Sequence, residues 1–381
     1  MHKVLIAHQS TIPHYRVPFY NSLENQKPDN WQFDVVFDIS ELEKHRFFKE
    51  ELDPAEFSFS TLNVSTIQIS LKGKIISYQT FFKQASRYDL LILEHAFNNL
   101  TYPLCQLLQP NSIKIALWGH GRDRSVNERS IPHKIKTKTK NMLARKSDGY
   151  FAYTSGSKSY LEIQGLLSEN IFVVNNTIDI NTQRHHYLKH KNERDKIRNQ
   201  RGFQDKKVLL FVGRLTKGKR IELLIDAFLD LFDLDPTYYL ILIGSGGESI
   251  QIPQHIGIEH LGSTVDIYEL GSHYIASDLF VIPGAVGLGP IQALCFDLPI
   301  LTIDSPFQKP EFEYLSSRNS IILDPGSSKR ELVQAVQEFF SDAGSIKKLR
   351  ENAWYSINHL TIENMAQNFI TGVNSILEQQ N

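Results

Sequence analysis

Short apolar runs alternate with amphipathic stretches along this chain. That rhythm constrains the fold more than any other feature. Strands that are apolar on both faces need helices to cover each side, and a parallel sheet supplies them. In the first half the strand candidates are KVLIAH, WQFDVVFD, DLLILEH, SIKIALWGH, GYFAYT and NIFVVNN, with helices expected in RVPFYNSLENQ and from Lys134 to Lys146. The rhythm then restarts with KVLLFVGRL, YYLILIG, IEHLG, LFVIPG, PILTID and SIILD, and RIELLIDAFLDLF and KRELVQAVQEFFSDA read as helices between them. At 381 residues the chain exceeds the size at which a single core keeps growing. Two consecutive series therefore predict an α/β protein of two doubly wound, Rossmann-like domains. The boundary is expected in the polar stretch from Ile180 to Lys206, read as a solvated helix with a flexible approach.

Charge and cysteine content exclude some functions. The 41 basic residues balance 42 acidic ones for a net charge of -1, which argues against a dedicated nucleic-acid binder. Cys105 and Cys295 are far apart in apolar contexts, so both are expected to be buried fillers rather than members of a disulfide framework or zinc site. The N-terminus MHKVLIAHQS has no secretory-signal pattern, and no window approaches about 18 consecutive apolar residues. A cytoplasmic protein is expected, soluble or resting on the inner face of a membrane.

In open parallel sheets ligands bind beyond the carboxyl ends of the strands, and four segments fall there. In FVGRLTKGKRIELLIDAF a strand ends at Gly213. Arg214, Lys217, Lys219 and Arg220 then crowd the entrance to an amphipathic helix. Arginine forks, lysine point charges and a helix N-terminus together make an anion site, and a solvated basic turn is the plain alternative. LFVIPGAVGLGPIQAL runs from a strand through Gly284, Gly287 and Gly289 into a helix begun by Pro290, an arrangement that lets a ligand approach the backbone or simply eases packing. LILIGSGGE ends another strand in glycines, fit for a ribose or phosphate or for a sharp turn. IALWGHGRDR ends a strand at His120, an exposed imidazole able to bond a sugar hydroxyl or handle a proton.

Together these segments resemble the family-4 glycosyltransferases, whose architecture of two Rossmann-like domains facing across a cleft is called GT-B; the resemblance spans essentially the whole chain. It implies an acceptor-binding domain over residues 1–180, with 361–381 crossing back to it, and a sugar-nucleotide-binding domain over 181–360. GRLTKGKRIELLIDAF matches the family's Gly-Arg-Leu and following Lys, which implies that Gly213, Arg214 and Lys219 hold the donor diphosphate. LIGSGGE and GLGPIQAL imply donor contacts from Gly244, Gly246, Gly287, Leu288 and Gln292. YRVPFYNSL and LWGHGRDR are similar to family segments, placing His120 near the transferred sugar and Arg16 and Arg122 on the acceptor side.

One departure stands out. Many relatives carry two glutamates eight positions apart, and here those positions read Gly284 and Gln292. Gln292 keeps an amide oxygen for a hydroxyl but brings no charge. Glu311 and Glu313 of KPEFEYL are alternative carboxylates. The resemblance implies transfer of a sugar from a nucleoside-diphosphate donor to a glycan or lipid-linked acceptor, with retention and with neither metal nor other cofactor, in cell-surface polysaccharide or glycolipid synthesis. His120, Arg214 and Lys219 are the expected catalytic groups. A sugar-nucleotide epimerase on the same fold, or a nucleotide-binding partner subunit without activity, are the alternatives. From Lys134 to Lys146 lie six basic residues and no acidic one, so peripheral contact with anionic lipid is expected there if the helix is not merely solvated.

Overall fold

The computed structural model describes residues 1–7, 12–40, 53–71, 74–122, 131–246, 250–264 and 266–379. The chain divides into two compact units: Met1–Ile178 with Ile362–Asn381, and Asp179–Thr361.

In the first unit the strands are β1 (His2–Ala7), β2 (Trp31–Phe37), β3 (Ser60–Asn63), β4 (Thr66–Leu71), β5 (Lys74–Gln79), β6 (Leu90–Glu94), β7 (Lys114–Gly119), β8 (Gly149–Ala152) and β9 (Ile171–Val173). Seven of them form a parallel sheet in the order β3-β2-β1-β6-β7-β8-β9. The order runs outward in one direction up to β1 and in the other from β6, so the switch point lies between those two strands. Buried side chains fill both faces. Val4, Ile6, Leu90 and Ile92 pack on one side, and Leu5, Ala7, Leu91 and Leu93 on the other. The remaining pair, β4 and β5, is an antiparallel hairpin that exposes Ile67, Ile69 and Ile75.

The last helix, Ile362–Glu378, belongs to this first unit and completes its core with Met365, Phe369, Val373 and Ile376. Two glycines let it lie flat on the sheet. A methyl group at Gly149 would meet Ile376 at 2.4 Å, and one at Gly372 would meet Phe151 at 2.6 Å.

The second unit contains β10 (Lys207–Val212), β11 (Tyr238–Ile243), β12 (Ile258–His260), β13 (Leu279–Ile282), β14 (Ile300–Ile303) and β15 (Ser320–Leu323). They form one parallel sheet ordered β12-β11-β10-β13-β14-β15, so its switch point falls between β10 and β13. Its helices begin where side chains satisfy orphan N–H groups. Asp179 receives the Thr182 amide at 3.0 Å, Asp266 those of Tyr268 and Glu269 at 2.7 and 2.9 Å, and Ser328 forms a capping box with Glu331.

The polar stretch after Ile180 differs from its expected solvated helix with a flexible approach. It forms helices Ile180–His190 and Arg194–Arg201 that are built into the second unit. The reason is Asp278, whose carboxylate accepts from Arg194 at 2.5 Å, Arg198 at 3.2 Å and the Val208 amide at 2.9 Å. Arg194 also donates to the Ser277 carbonyl, and burial lowers its pKa to about 10, with Asp278 opposing the shift. Asp278→Asn, measured by urea unfolding, is expected to destabilise the second unit by about 2–3 kcal/mol, because both guanidiniums lose their counter-charge.

Candidate functional site

The two loops that flank the switch point of the second unit come from β10 and β13. They carry the expected diphosphate segment and the glycine turn. The first loop is set by its contacts with the β11 loop. Gly213 donates its N–H to Ile243 O at 2.9 Å, and Leu215 donates to Ser245 O at 3.0 Å. The approach is so close that a methyl group at Gly244 would lie 1.9 Å from Gly213 O, and one at Gly246 2.8 Å from Leu215 O. Both glycines have positive φ, at 143° and 145°. Gly244 and Gly246, expected to accommodate ribose or phosphate, thus have a packing role in the structure: they hold flat the platform from which Arg214 projects. Arg214 itself is exposed.

Beyond the platform, Lys217–Lys219 forms a short 3-10 turn, and Arg220 takes a left-handed conformation with φ of 55° before the helix Ile221–Leu234 starts. A non-glycine residue held there costs of order 1 kcal/mol or more. The turn lies directly on the second loop. The Ala285 amide donates to Gly218 O at 2.8 Å, and the Lys219 ammonium donates to the Ala285 carbonyl.

Gly284 explains one of the two missing glutamates. A methyl group there would sit 2.3 Å from the carbonyl carbon of Lys219 and 2.4 Å from Gly218 O, so any side chain displaces the lysine turn. Buried Gln308 fixes the loop from behind. Its amide donates to Gly284 O at 3.2 Å and Ile303 O at 2.7 Å, and its oxygen accepts from the Val286 amide at 2.7 Å.

Lys219 is where the charges converge. Burial first, then Arg214 and Lys309, lower its pKa to about 8, and Glu311 opposes them. Two further cations and one buried carboxylate therefore act on the Lys219 ammonium, which leaves a cationic surplus suited to a diphosphate. Gly287 lies beside the same ammonium, since a methyl group there would be 3.7 Å from Lys219 Nζ. Lys309 was not among the expected site residues. Exposed Glu313 is absent from the charges that act on Lys219.

Gln292 is engaged at both ends of its amide. Its oxygen accepts from Tyr274 OH at 3.3 Å, and its nitrogen donates to Gln183 at 3.2 Å. Leu288 precedes the short helix Gly289–Cys295. Among the described residues no group of three His, Cys, Asp or Glu side chains is arranged to hold a metal ion. Cys105 and Cys295 are both buried and free.

In the first unit His120 follows β7 and is exposed, its ring edge-on to Tyr153 at 4.5 Å between centroids. The turn that carries it is fixed from below. Tyr150 OH accepts the Gly121 amide at 3.1 Å and bonds His95 Nδ1 at 2.8 Å, while His95 Nε2 meets Lys140 O at 3.3 Å. A hydroxyl that donates to Nδ1 leaves Nε2 to carry the proton toward the carbonyl, so the network is satisfied with a neutral imidazole. Gly121 adopts φ of 74°.

Arg16, expected on the acceptor side, is buried with 1% exposure. Its guanidinium donates to Asn176 and to Met365 Sδ, and it lies over Trp118 and Tyr153 at 5.2 and 5.8 Å. It braces the ring against which His120 rests, and solvent scarcely reaches it. Arg122 is partly buried, and its amide donates to His120 O at 3.0 Å.

Glu94 falls within the run DLLILEH and is not singled out by the sequence. It closes β6 at the switch point of the first unit, partly buried, and burial raises its pKa to about 7 against the pull of Lys140.

Residues 193–354 match the family model described as glycosyl transferases group 1. A search of curated proteins finds no match to the sequence. Among solved structures, a glycosyltransferase from Rickettsia africae ESF-5 is similar with a TM-score of 0.69 at 15% identity, over 100% of this chain and 99% of that one. Anabaena Alr3699/HepE in complex with UDP-glucose is similar at 0.66 and 17%, over 98% and 100%. The UDP-GlcNAc 2-epimerase from Neisseria meningitidis bound to UDP-GlcNAc is similar at 0.61 and 14%, over 98% and 99%. At these identities the likeness is one of fold, the GT-B fold.

Restoring a glutamate at position 284 is expected to harm the protein. Gly284→Glu should lower stability by about 1–3 kcal/mol in urea unfolding through overpacking. It should also weaken sugar-nucleotide binding by displacing Lys219. A fully stable variant with unchanged binding would show that the turn moves aside freely.

Proposed function

We propose that this chain, whose residues 193–354 match the group 1 glycosyl transferase model, moves a sugar from a nucleoside-diphosphate donor to a glycan or lipid-linked acceptor. The convergence of Arg214, Lys219, Lys309 and Glu311 on one point beside the glycine turn carries the donor half of the reading. As the glycosidic bond breaks, negative charge grows on the departing diphosphate. Preorganised cations stabilise that charge most in the transition state. Half-buried Lys219 is poorly solvated before the donor binds, and with Arg214 and Lys309 acting on it a further anion would be favoured there. The reading asks for no metal ion, and retention of configuration is part of it. A uridine diphosphate sugar is the first donor to test, since two of the similar structures named above were solved with UDP-glucose or UDP-GlcNAc. His120, on its fixed turn, is assigned to the sugar.

An epimerase shares the fold but needs no second sugar acceptor. Product analysis with and without acceptor separates it from a transferase, and a nucleotide-binding subunit without activity would form neither product.

Lys219→Ala is expected to lower turnover about a hundred- to a thousandfold, as for loss of one transition-state donor. Normal turnover in the folded variant would remove Lys219 from the mechanism. The wild type should also lose sugar-nucleotide affinity as pH rises through about 8, because deprotonation of Lys219 removes the binding charge. That alkaline limb should vanish in Lys219→Ala.

Acceptors attached to lipid would be met at the helix Ile131–Arg145. It exposes Lys134, Lys136, Lys138 and Arg145 together with Ile135 and Met142, while Lys140 turns inward. Among the described residues no helix is long and apolar enough to cross a membrane. Co-sedimentation with anionic but not neutral vesicles, weakened by salt, is the expected result. Equal binding to both vesicles, or to neither, would dismiss the lipid contact.

A further inference from the structure

Glu94 occupies in the first unit the place that the diphosphate loops occupy in the second. Strand order reverses between β1 and β6, and the crevice of a doubly wound sheet opens at the carboxyl ends of the strands on either side. Glu94 is the last residue of β6 and is in register with Trp118 of β7, two residues before His120. The groups that sense it come from both faces of the sheet. Lys140 of the helix Ile131–Arg145 draws its pKa down. Tyr20, Tyr102 and Tyr150 are raised first by burial and then also by the Glu94 charge. Tyr20 packs with one core and Tyr102 and Tyr150 with the other, so residues of both faces feel the charge at the end of β6.

No hydrogen bond reaches the Glu94 carboxyl among the described residues. The nearby hydroxyl of Tyr150 is already committed to His95 and to the Gly121 amide. A carboxyl removed from most of its water without replacement donors is disfavoured until something supplies them. We propose that Glu94 is the carboxylate by which the first unit holds its acceptor, taking a hydrogen bond from a hydroxyl of a sugar or polyol at the carboxyl edge of β6. The proposal rests on the transferase reading. Glu94 acts here as a binding group, and its charged form is the better hydrogen-bond acceptor.

The test compares wild type, Glu94→Gln and Glu94→Asp. Transfer from the best sugar nucleotide to a panel of methyl glycosides is measured, alongside hydrolysis of that donor and its binding. In Glu94→Gln the acceptor KM should rise about ten- to hundredfold, the worth of one hydrogen bond to a charged group. Donor binding and hydrolysis should be unchanged, and Glu94→Asp should recover part of the loss. The wild-type acceptor KM should fall as pH rises through about 7, where Glu94 ionises, and be flat in Glu94→Gln. An unchanged acceptor KM overturns the proposal, as does a parallel fall in transfer, hydrolysis and donor binding, which would mark a structural role. Wild-type protein that binds no sugar nucleotide overturns the transferase reading and the proposal with it. Normal donor binding with an unmoved acceptor KM overturns only the proposal.

Discussion

The candidate donor site depends on backbone lying against backbone. The loop after β10 is pressed on one side by the glycines of the β11 loop and on the other by Gly284 of the β13 turn, with 1.9 and 2.3 Å marking where a side chain would collide. Interiors packed this closely do not deform gradually. Arg214 and Lys219 therefore project from a frame whose position is fixed by neighbours rather than by their own contacts. A fixed frame of this kind is what a cationic cradle requires and a basic surface loop lacks.

The frame also gives a physical account of the departure from the family pattern. A glutamate at position 284 and the lysine turn as it stands occupy the same space. The negative charge that the site does contain comes from Glu311, which is buried and delivered by the Pro310–Tyr314 turn. Gln292, at the second position, is held by neighbours of its own unit. The two substituted positions thus have different explanations, one of space and one of local bonding.

Much of the fold was legible because parallel strands buried on both faces leave continuous apolar runs, and every run named from the sequence is a strand. The pair of β4 and β5 was missed since its apolar residues are interrupted by polar ones and Ile67, Ile69 and Ile75 stay exposed. The expected cationic loop was readable from its own residues, but the duty of Gly244 and Gly246 was not, because it depends on a loop some thirty residues earlier. Arg16 was expected on the acceptor side through the family resemblance. Its burial follows from Asn176 and Met365, which are distant in sequence. Glu94 carried a readable signal, a carboxylate closing an apolar strand. Its weight came only from strand order, which places β6 beside β1. Lys309 was overshadowed by the two glutamates that follow it.

The glycine-seated helix Ile362–Glu378 has a consequence for biosynthesis. Its side chains finish the core of the unit that the chain begins. On the ribosome, the second unit has all its strands and helices by Thr361, while the first still has an uncovered apolar face. The half that is translated first is thus completed last, and it needs protection from aggregation until the final helix emerges.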